Sequence, residues 1–358
     1  MVVPTLGAGR LVTQPLPFGA YTLPGRVVDP RPAVQQSVVA EQLGLGTIWI
    51  GERYGTKDAG VLAGAISQAT SEIRIGTAIT HFLFRHPLSL AGMATTVQAL
   101  SGGRFVLGVG RSVAPTWKAA GLPQMTNHIM GDLADIHRRL IRGEKVRYDG
   151  PAGTFPAMRL GDVPDVEPPP ILLAAIGPKT LDLAGRRFDG AILHPFLTTQ
   201  SVTESVARVR AGAEAAGRDP ASVRVVATVV TAPDLDADAE LAVVGGRAVT
   251  YFQIPNFGEL LAGVNGWDMS PLSTLRAHPL LAGLHGSADN RFTKDQLGEV
   301  SRTLPQEWLA SGAAVGSAAQ CADRLREYVA AGADEIIIHG ATPELLGDTV
   351  RHIRNGIG

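Results

Sequence analysis

The sequence is short of cysteine and has no long apolar run. Its 358 residues include one cysteine, Cys321. A disulfide within the chain and a cysteine-rich zinc site are therefore excluded, and the helical pattern around Cys321 favours a buried thiol over a nucleophile. No apolar run reaches the ~18 residues of a membrane span, and the first residues do not read as a cationic leader with an apolar segment. We expect a cytoplasmic protein with no membrane partner.

An excess of charge of one sign is also lacking. The formal net charge is −1, so no overall basic field argues for a nucleic-acid partner. Glycine and proline are frequent but spread through the chain, which indicates many joins between strands and helices rather than a disordered tract. The length suits one large α/β barrel or two ordinary domains.

What the sequence does have is a repeated alternation of short apolar runs with helical patterns. Runs of this kind are typical of parallel strands buried on both faces. The predicted strands are Phe18–Leu23, Thr47–Ile50, Ile73–Thr80, Phe105–Gly110, Ile171–Ala175, Gly190–His194, Val223–Thr231 and Glu335–His339. Each is followed by helical sequence, which makes a series of βα units.

Eight βα units favour a single α/β domain over residues 1–358, a (β/α)8 TIM barrel with insertions. An open, doubly wound sheet is the alternative. Residues 113–126 look like a loop, and residues 142–167 like a surface excursion. The largest insertion, residues 252–305 between strands seven and eight, is expected to cover the barrel mouth with short helices. Within it, Phe252, Phe257 and Trp267 would make the pocket apolar.

The fourth predicted strand ends in Gly108-Val109-Gly110. Glycine there would let a flat ligand approach the backbone closely, although a tight turn without a ligand explains it too. A dinucleotide fingerprint would need a third glycine at position 113, which is Val113.

The fifth predicted strand leads into Gly177-Pro178-Lys179-Thr180 at the start of a helix. The N–H groups of a helix N-terminus attract anions, and Lys179 adds a positive charge. The pattern is typical both of a phosphate site and of an ordinary strand–helix turn.

Polar residues close several other strands, where a barrel has its active site. Glu52 and Arg53 follow the second strand, His81 follows the third, and His194 and His339 end the sixth and eighth. His81 suits either a general acid or base or a structural hydrogen bond. Three imidazoles would permit a metal, but the paired histidines and carboxylates of metal hydrolases are missing, so we expect none. No Gly-x-Ser-x-Gly elbow surrounds Ser112, which argues against a serine hydrolase.

Taken together, several segments resemble the luciferase-like monooxygenase superfamily, and most of all its actinobacterial branch that uses the deazaflavin coenzyme F420. They occur in family order over most of the chain. The segments are Leu43–Arg53, Ile73–Ile79 with Arg85-His86-Pro87 downstream, Leu100–Arg111, Pro169–Pro178 and Ala184–Ile192.

The resemblance implies a TIM barrel with the deazaflavin ring at its carboxyl-terminal mouth. It also implies a non-proline cis peptide bond between Ala78 and Ile79, backing the ring. Family contacts to the ring fall on Glu52 and His194, and contacts to the phosphate and tail fall on the turn at Gly177. Gly108 and Gly110 are expected to form the floor under the ring. The predicted coenzyme-binding residues are Glu52, Ala78, Ile79, Gly108, Gly110, Ala175, Ile176, Gly177, Pro178, Lys179 and His194.

The sequence also departs from the sugar-phosphate dehydrogenases of this family. Arg53 stands where they carry a catalytic histidine, Lys57 where they carry a tryptophan, and Val113 where they carry a glutamate. The sugar-phosphate substrate is therefore not transferred. The predicted catalytic residues are His81, Arg53 and Arg111, with His128 as a further polar group that could orient a substrate.

These features predict an F420-dependent oxidoreductase that transfers a hydride between the coenzyme and a small organic substrate. An FMN-dependent monooxygenase of the same family is one alternative, with FMN as its cofactor. A non-catalytic coenzyme-binding protein is the alternative from another class. The family habit implies a homodimer.

Overall fold

The computed structural model describes residues 16–284 and 286–356. Its strands are β1 (Leu16–Thr22), β2 (Leu45–Ile50), β3 (Arg74–Thr77), β4 (Thr80–His81), β5 (Phe105–Gly110), β6 (Val146–Gly150), β7 (Gly153–Met158), β8 (Ile171–Ala175), β9 (Gly190–Leu193), β10 (Arg224–Pro233), β11 (Ala313–Gly316) and β12 (Glu335–Gly340).

Its helices follow the strands along the chain. They are α1 (Pro32–Gln42), α2 (Ala59–Ala69), α3 (Pro87–Leu100), α4 (Ala114–Ala119), α5 (Asn127–Ile141), α6 (Pro178–Arg187), α7 (Thr199–Ala215), α8 (Ala237–Glu240), α9 (Gly246–Phe252), α10 (Phe257–Val264), α11 (Pro271–Ala277), α12 (Lys294–Ser301), α13 (Gln306–Gly312), α14 (Ala318–Ala330) and α15 (Gly347–Asn355). A π-helical turn, Leu241–Gly245, joins α8 to α9, and short 3-10 turns lie at Pro220–Ser222, Ala288–Asn290 and Pro343–Leu345.

The strands close into a parallel barrel. The ring runs β1, β2, β3, β5, β8, β9, β10, β12 and back to β1. Closure is complete because β10 pairs with both β9 and β12, and β12 pairs with β1 at Phe18↔Ile336. The predicted (β/α)8 barrel is therefore confirmed, and the open doubly wound sheet is excluded.

Burial explains why the short apolar runs become barrel strands. Every residue of β2 and of β5 is buried, because the helices cover the outside of the ring and side chains fill its inside. The inner cluster contains Trp49, Val106, Leu172, Ile192, Val226 and Ile337, and a larger cluster lies between the ring and the helices.

The third strand differs from its prediction. β3 ends at Thr77, and the peptide bond between Ala78 and Ile79 is cis, as the family resemblance implied. The chain then continues as β4, which pairs with the end of β5 through His81↔Gly110. His81 thus belongs to a short strand at the barrel mouth.

Two of the three regions without clear periodicity contain more regular structure than the sequence indicated. Residues 113–126 were expected to be a loop, but they contain the short helix α4. Residues 142–167 contain the antiparallel hairpin of β6 and β7. The predicted insertion, residues 252–305, contains the short helices α10, α11 and α12, as expected. Short helices of this kind give too few turns for a visible 3.6-residue period.

Candidate active site

A cavity of about 410 Å³ opens at the carboxyl ends of the barrel strands. We refer to it as the central cavity. It collects residues that are far apart in the sequence, since every strand of a parallel barrel ends at the same mouth. The predicted site residues that line it are Glu52, Arg53, Ala78, Ile79, His81, Arg111, Ala175, Ile176, Gly177 and His194.

Gly108 and Gly110 are not among the lining residues and lie one layer behind the cavity wall. A Cβ on Gly108 would be 1.9 Å from the carbonyl oxygen of Thr77, and one on Gly110 would be 2.5 Å from Cδ1 of Ile79. Their missing side chains let the backbone of β3 and the side chain of Ile79 approach β5. The glycines were expected to form the floor of the site themselves. Instead, Ile79 lies in front of them and forms the cavity surface.

The segment around Ala78 is held by three hydrogen bonds. The Tyr21 hydroxyl donates to the carbonyl of Ala78 at 2.5 Å. The N–H of Ala78 donates to Ile50 O at 2.8 Å, and the N–H of Glu52 donates to Ile79 O at 3.4 Å. Burial raises the pKa of Tyr21 far above its usual value, so its hydroxyl stays protonated as a donor. Strands β1 and β2 therefore fix the backbone that forms this wall.

The amino end of α6 faces the cavity without a side-chain cap. Gly177 occupies the N-cap position and has no side chain to accept a hydrogen bond from the first turn. Gly177 and Thr180 line the cavity, whereas Pro178 and Lys179 do not. Pro178 has no N–H, and the N–H of Thr180 donates to Gly177 O at 3.0 Å. The positive end of the helix dipole still makes this a favourable place for an anion.

Glu52 lies in the cavity wall, but its carboxylate is already bound by the protein. One oxygen accepts from the N–H of Ala59 at 3.0 Å, and the other accepts from Thr80 Oγ1 at 2.6 Å and Arg85 at 2.9 Å. Burial alone would raise the pKa of Glu52, yet these hydrogen bonds and the Arg85 charge hold it below its usual range. Glu52 is therefore an ionised group that orients the β2 end.

His81 and His339 are cavity residues with ring nitrogens that have no hydrogen-bond partner among the described residues. His81 is 7% exposed, and neither of its ring nitrogens has a hydrogen-bond partner. Its ring lies edge-on to Phe84 with a centroid distance of 4.8 Å. Burial lowers the pKa of His81 to about 4, against the opposing effect of Glu52. The imidazole is neutral at pH 7, so it can give or accept a hydrogen bond but does not supply an imidazolium proton.

His194 and His339 complete the set of cavity histidines. His194 Nδ1 lies 2.9 Å from Pro195 O, and its ring contacts Tyr251 edge-on at 4.4 Å. Burial lowers the pKa of His194 to about 4 and that of His339 well below its usual value. Within residues 16–284 and 286–356, no group of three histidine, cysteine or carboxylate side chains is arranged to hold a metal ion.

The predicted cations are placed differently from one another. Arg53 is bonded to Asn290 Oδ1 at 3.0 Å and to the carboxylate of Asp289. Its guanidinium therefore ties the end of β2 to the insertion. Arg111 is exposed at the mouth and contacts Asn127 Oδ1 at 3.3 Å. His128 does not line the cavity, since its side chain is 70% exposed and 3.3 Å from Asp132.

Lys57 and Arg247 are cavity residues that the sequence did not single out as site residues. Lys57 is buried, and its Nζ donates to Leu23 O and Gly25 O at 2.8 Å each. Burial, together with Arg53 and Arg247, lowers the pKa of Lys57 to about 7. Arg247 pairs with Asp289 at 3.2 Å. The residues around Lys57 and Arg247 in the sequence do not distinguish them from ordinary surface cations. Their place in the cavity depends on the tertiary fold.

The insertion forms the apolar wall with other side chains than expected. Phe257 lines the cavity, beside Ile254 and Leu260. Phe252 is fully buried and packs against Trp267 at 6.1 Å and Trp308 at 5.2 Å. The expectation that Phe252 and Trp267 line the pocket is therefore wrong, because both rings are used in the core beneath the insertion.

A family model described as luciferase-like monooxygenase matches residues 6–335. The chain belongs to this family. The resemblance predicted from the sequence is thereby confirmed, and the family match covers all eight strands of the barrel at least in part.

Sequence comparison finds similar proteins that are named as reductases and dehydrogenases. The chain is 28% identical over 309 residues to a 5,10-methylenetetrahydromethanopterin reductase of Methanolobus tindarius, covering 84% of this chain and 87% of the relative. It is 32% identical over 171 residues to an F420-dependent hydroxymycolic acid dehydrogenase of Mycobacterium tuberculosis, covering 44% of each chain.

Solved structures share the fold. The coenzyme F420-dependent tetrahydromethanopterin reductase of Methanopyrus kandleri superposes with a TM-score of 0.77 at 19% identity, covering 95% of this chain and 99% of its own. An F420-dependent secondary alcohol dehydrogenase gives 0.70 at 18% identity, covering 94% and 96%. No helix in the described part of the chain has the length and apolar character needed to cross a membrane.

Proposed function

We propose that this protein is an F420-dependent oxidoreductase that transfers a hydride between the coenzyme and a small organic substrate. The observation that carries the proposal is the uncapped N-terminus of α6 opening into the same cavity as the unsatisfied His81. The names of the relatives support F420 over the FMN alternative.

The residues present fit such a coenzyme. Ile79 and Ile192 offer apolar contact to a flat ring, and the positive end of the α6 dipole at Gly177 favours a phosphate. His81 has two ring nitrogens without a partner at this wall, and a buried polar group without a partner is costly unless a ligand satisfies it. When bound, the deazaflavin supplies the hydride chemistry, and the protein supplies position and electrostatics.

The chain's own residues provide three contributions. Ile254, Phe257 and Leu260 cover the cavity with apolar surface and exclude water from it. His81, neutral at pH 7, is placed to hydrogen-bond a carbonyl, imine or hydroxyl group of the substrate or an edge of the ring. Glu52 contributes no proton, because Arg85, Thr80 and Ala59 hold its carboxylate ionised.

Binding of the coenzyme is tested by titrating the coenzyme-free protein with oxidised F420 and, separately, with FMN. We expect quenching of F420 fluorescence with a single class of sites and much weaker binding of FMN. Binding of FMN alone, with oxygen consumption in the presence of reduced flavin, would instead establish the monooxygenase alternative.

The role of His81 is tested by His81→Phe, which removes both nitrogens and keeps a ring. Turnover of ketone, alcohol or enone substrates should fall by roughly 10²–10³-fold, the usual loss for one positioned hydrogen-bond donor. His128→Phe is the matched control, since His128 lies outside the cavity, and it should keep full turnover. F420 binding without turnover in the unaltered protein, over the whole panel, would favour the non-catalytic alternative.

The predicted homodimer, cytoplasmic location and single domain over residues 1–358 remain predictions. The first is checked by sedimentation equilibrium of the purified protein, which we expect to give twice the chain mass.

A further inference from the structure

A second, smaller cavity adjoins the central one on the side of β12. Its volume is about 240 Å³, and Pro24, Arg247, Thr250 and His339 line both cavities. We call it the side cavity. A group held in the side cavity can therefore be continuous with a molecule whose reacting part lies in the central cavity.

The side cavity is lined by an excess of cations. Arg26, Arg247, Arg291 and Lys294 line it, together with a single carboxylate, Asp289. That carboxylate is already engaged, because it accepts from Arg53 and Arg247 and, at 2.6 Å, from the Ser287 hydroxyl. The positive charge of the side cavity is thus not balanced by its own residues.

Arg291 and Lys294 form no salt bridge within residues 16–284 and 286–356, and both residues are exposed. Arg291 contacts the ring of Phe292 at 5.7 Å. The carboxylate that acts on Lys294 is that of its chain neighbour Asp295. Desolvation and the nearby Arg247 lower the pKa of Lys294, against the opposing effect of Asp295, so the Lys294 and Arg247 charges repel each other across the side cavity. An anion in the side cavity would relieve this repulsion.

The position of the side cavity separates it from the α6 site. In the closed ring, β8, which precedes α6, is three steps from β12, with β9 and β10 between them. The two anion-favouring features therefore lie on well-separated sides of the mouth, with the central cavity between them. A single anionic group cannot occupy both places, so an anion at α6 and an anion in the side cavity are two different groups.

We infer that the side cavity binds the carboxylate or phosphate group of an anionic substrate whose reacting carbon lies in the central cavity. The position of the reacting carbon rests on the proposed function. The anion site itself rests on Arg291 and Lys294. It narrows the substrate class to organic acids and phosphorylated compounds. Guanidinium and ammonium groups favour such oxyanions through charge-assisted hydrogen bonds.

The test compares three proteins by calorimetric titration with inorganic phosphate and with succinate. They are the unaltered chain, the double variant Arg291→Ala/Lys294→Ala, and the control Arg302→Ala/Arg351→Ala. The control removes the same two charges from exposed positions outside both cavities. Each protein is titrated with F420 present, so that the coenzyme fills its own phosphate site, and again without it. F420 binding is followed by fluorescence in the same samples.

Of phosphate and succinate, the probe that the unaltered chain binds more tightly is the one to compare. We expect the double variant to bind this probe at least tenfold more weakly, while the control binds it like the unaltered chain. Tighter binding of phosphate would indicate a phosphorylated substrate, and tighter binding of succinate a carboxylate. Equal affinity in all three proteins, with F420 bound normally, would overturn the inference and leave the proposed function intact. Failure of the unaltered chain to bind F420 would overturn the proposed function. The titrations without F420 would still show whether Arg291 and Lys294 bind an anion.

Discussion

The Thr77 hydroxyl lies between the two backbone polar groups of Gly108. It accepts from the N–H of Gly108 at 2.9 Å and donates to the carbonyl of Gly108 at 2.7 Å. It thereby replaces the backbone ladder where β3 has ended and β4 has not begun. This contact keeps β5 aligned behind Ile79, so a side chain at position 108 would disturb the cavity wall.

Gly108→Ala is expected to destabilise the protein by roughly 1–3 kcal/mol or more, the usual cost of overpacking a core. The added Cβ would lie 1.9 Å from a backbone oxygen, which cannot swing away as a side chain would. Gly64→Ala is the matched control, because Gly64 lies in α2 with nothing within 4 Å of a new Cβ. Urea unfolding should show a loss for the first and no loss for the second. Equal midpoints would contradict the account of Gly108.

Arg85→Met is expected to cost about 3–5 kcal/mol, since it leaves the buried Glu52 carboxylate without its cation. Arg85 bridges Glu52 and, at 2.6 Å, Asp58. Because the pKa of Glu52 is lowered in the folded state, this group stabilises the protein above its unfolded pKa of ~4.3 and loses that effect as the pH falls. The stability lost in the variant should therefore be largest at neutral pH and should shrink as the pH falls below about 4, where Glu52 is protonated.

Arg186→Met is the control for Arg85, since its pair with Asp182 is exposed and spaced i, i+4. An exposed pair of this kind contributes roughly 0.3–0.5 kcal/mol. Equal losses in the two variants, measured by chemical unfolding at pH 7, would show that Glu52 does not depend on Arg85.

His81 is expected to remain neutral from pH 8 down to about pH 5, because burial lowers its pKa to about 4. The unfolded chain binds the proton at ~6.5, so the free energy of unfolding should fall as the pH drops from 6.5 towards 4. Ring ¹⁵N spectra of histidine-labelled protein, with His81→Phe for assignment, would measure this. A titration midpoint between 6 and 7 would contradict it.

Lys57→Met is expected to change the pH dependence of stability on the alkaline side. The folded pKa of Lys57 is lowered to about 7 from 10.5, so between these values the unfolded state binds more protons and the free energy of unfolding rises with pH. The variant should lack this rise, although it also loses two hydrogen bonds to Leu23 and Gly25. Parallel curves for both proteins between pH 7 and 10 would show that Lys57 titrates normally.

Cys321 is expected to be unreactive in the folded protein. It is fully buried, and burial raises the pKa of its thiol to about 12, so almost no thiolate is present at pH 8. A disulfide reagent such as DTNB should release no colour from native protein and one equivalent after denaturation, since the chain has one cysteine. Rapid reaction of the native protein would place the thiol at the surface.

The local pattern was sufficient for the barrel and insufficient for its mouth. Apolar runs such as Phe105–Gly110 predicted the strands, because a strand buried on both faces has a composition that no loop tolerates. Asp58 caps α2 by accepting from Val61 N–H at 3.0 Å, which is typical of aspartate at a helix N-terminus. In contrast, α4 and the hairpin of β6 and β7 were hidden by a composition rich in glycine and proline.

The candidate site divides along the same line. The sequence by itself determined which strand ends carry polar groups, and thus that Glu52, His81, His194 and Gly177 meet at one mouth, because all strands of a parallel barrel point the same way. Only the tertiary structure decided how each is used. In the folded chain Glu52 pairs with Arg85, and His81 has no hydrogen-bond partner. Gly108 lies behind the cavity wall, and Arg291 and Lys294 of the insertion lie beside β12. The physical reason is that pairing, burial and cavity shape depend on contacts between residues far apart in the chain, which no local period records.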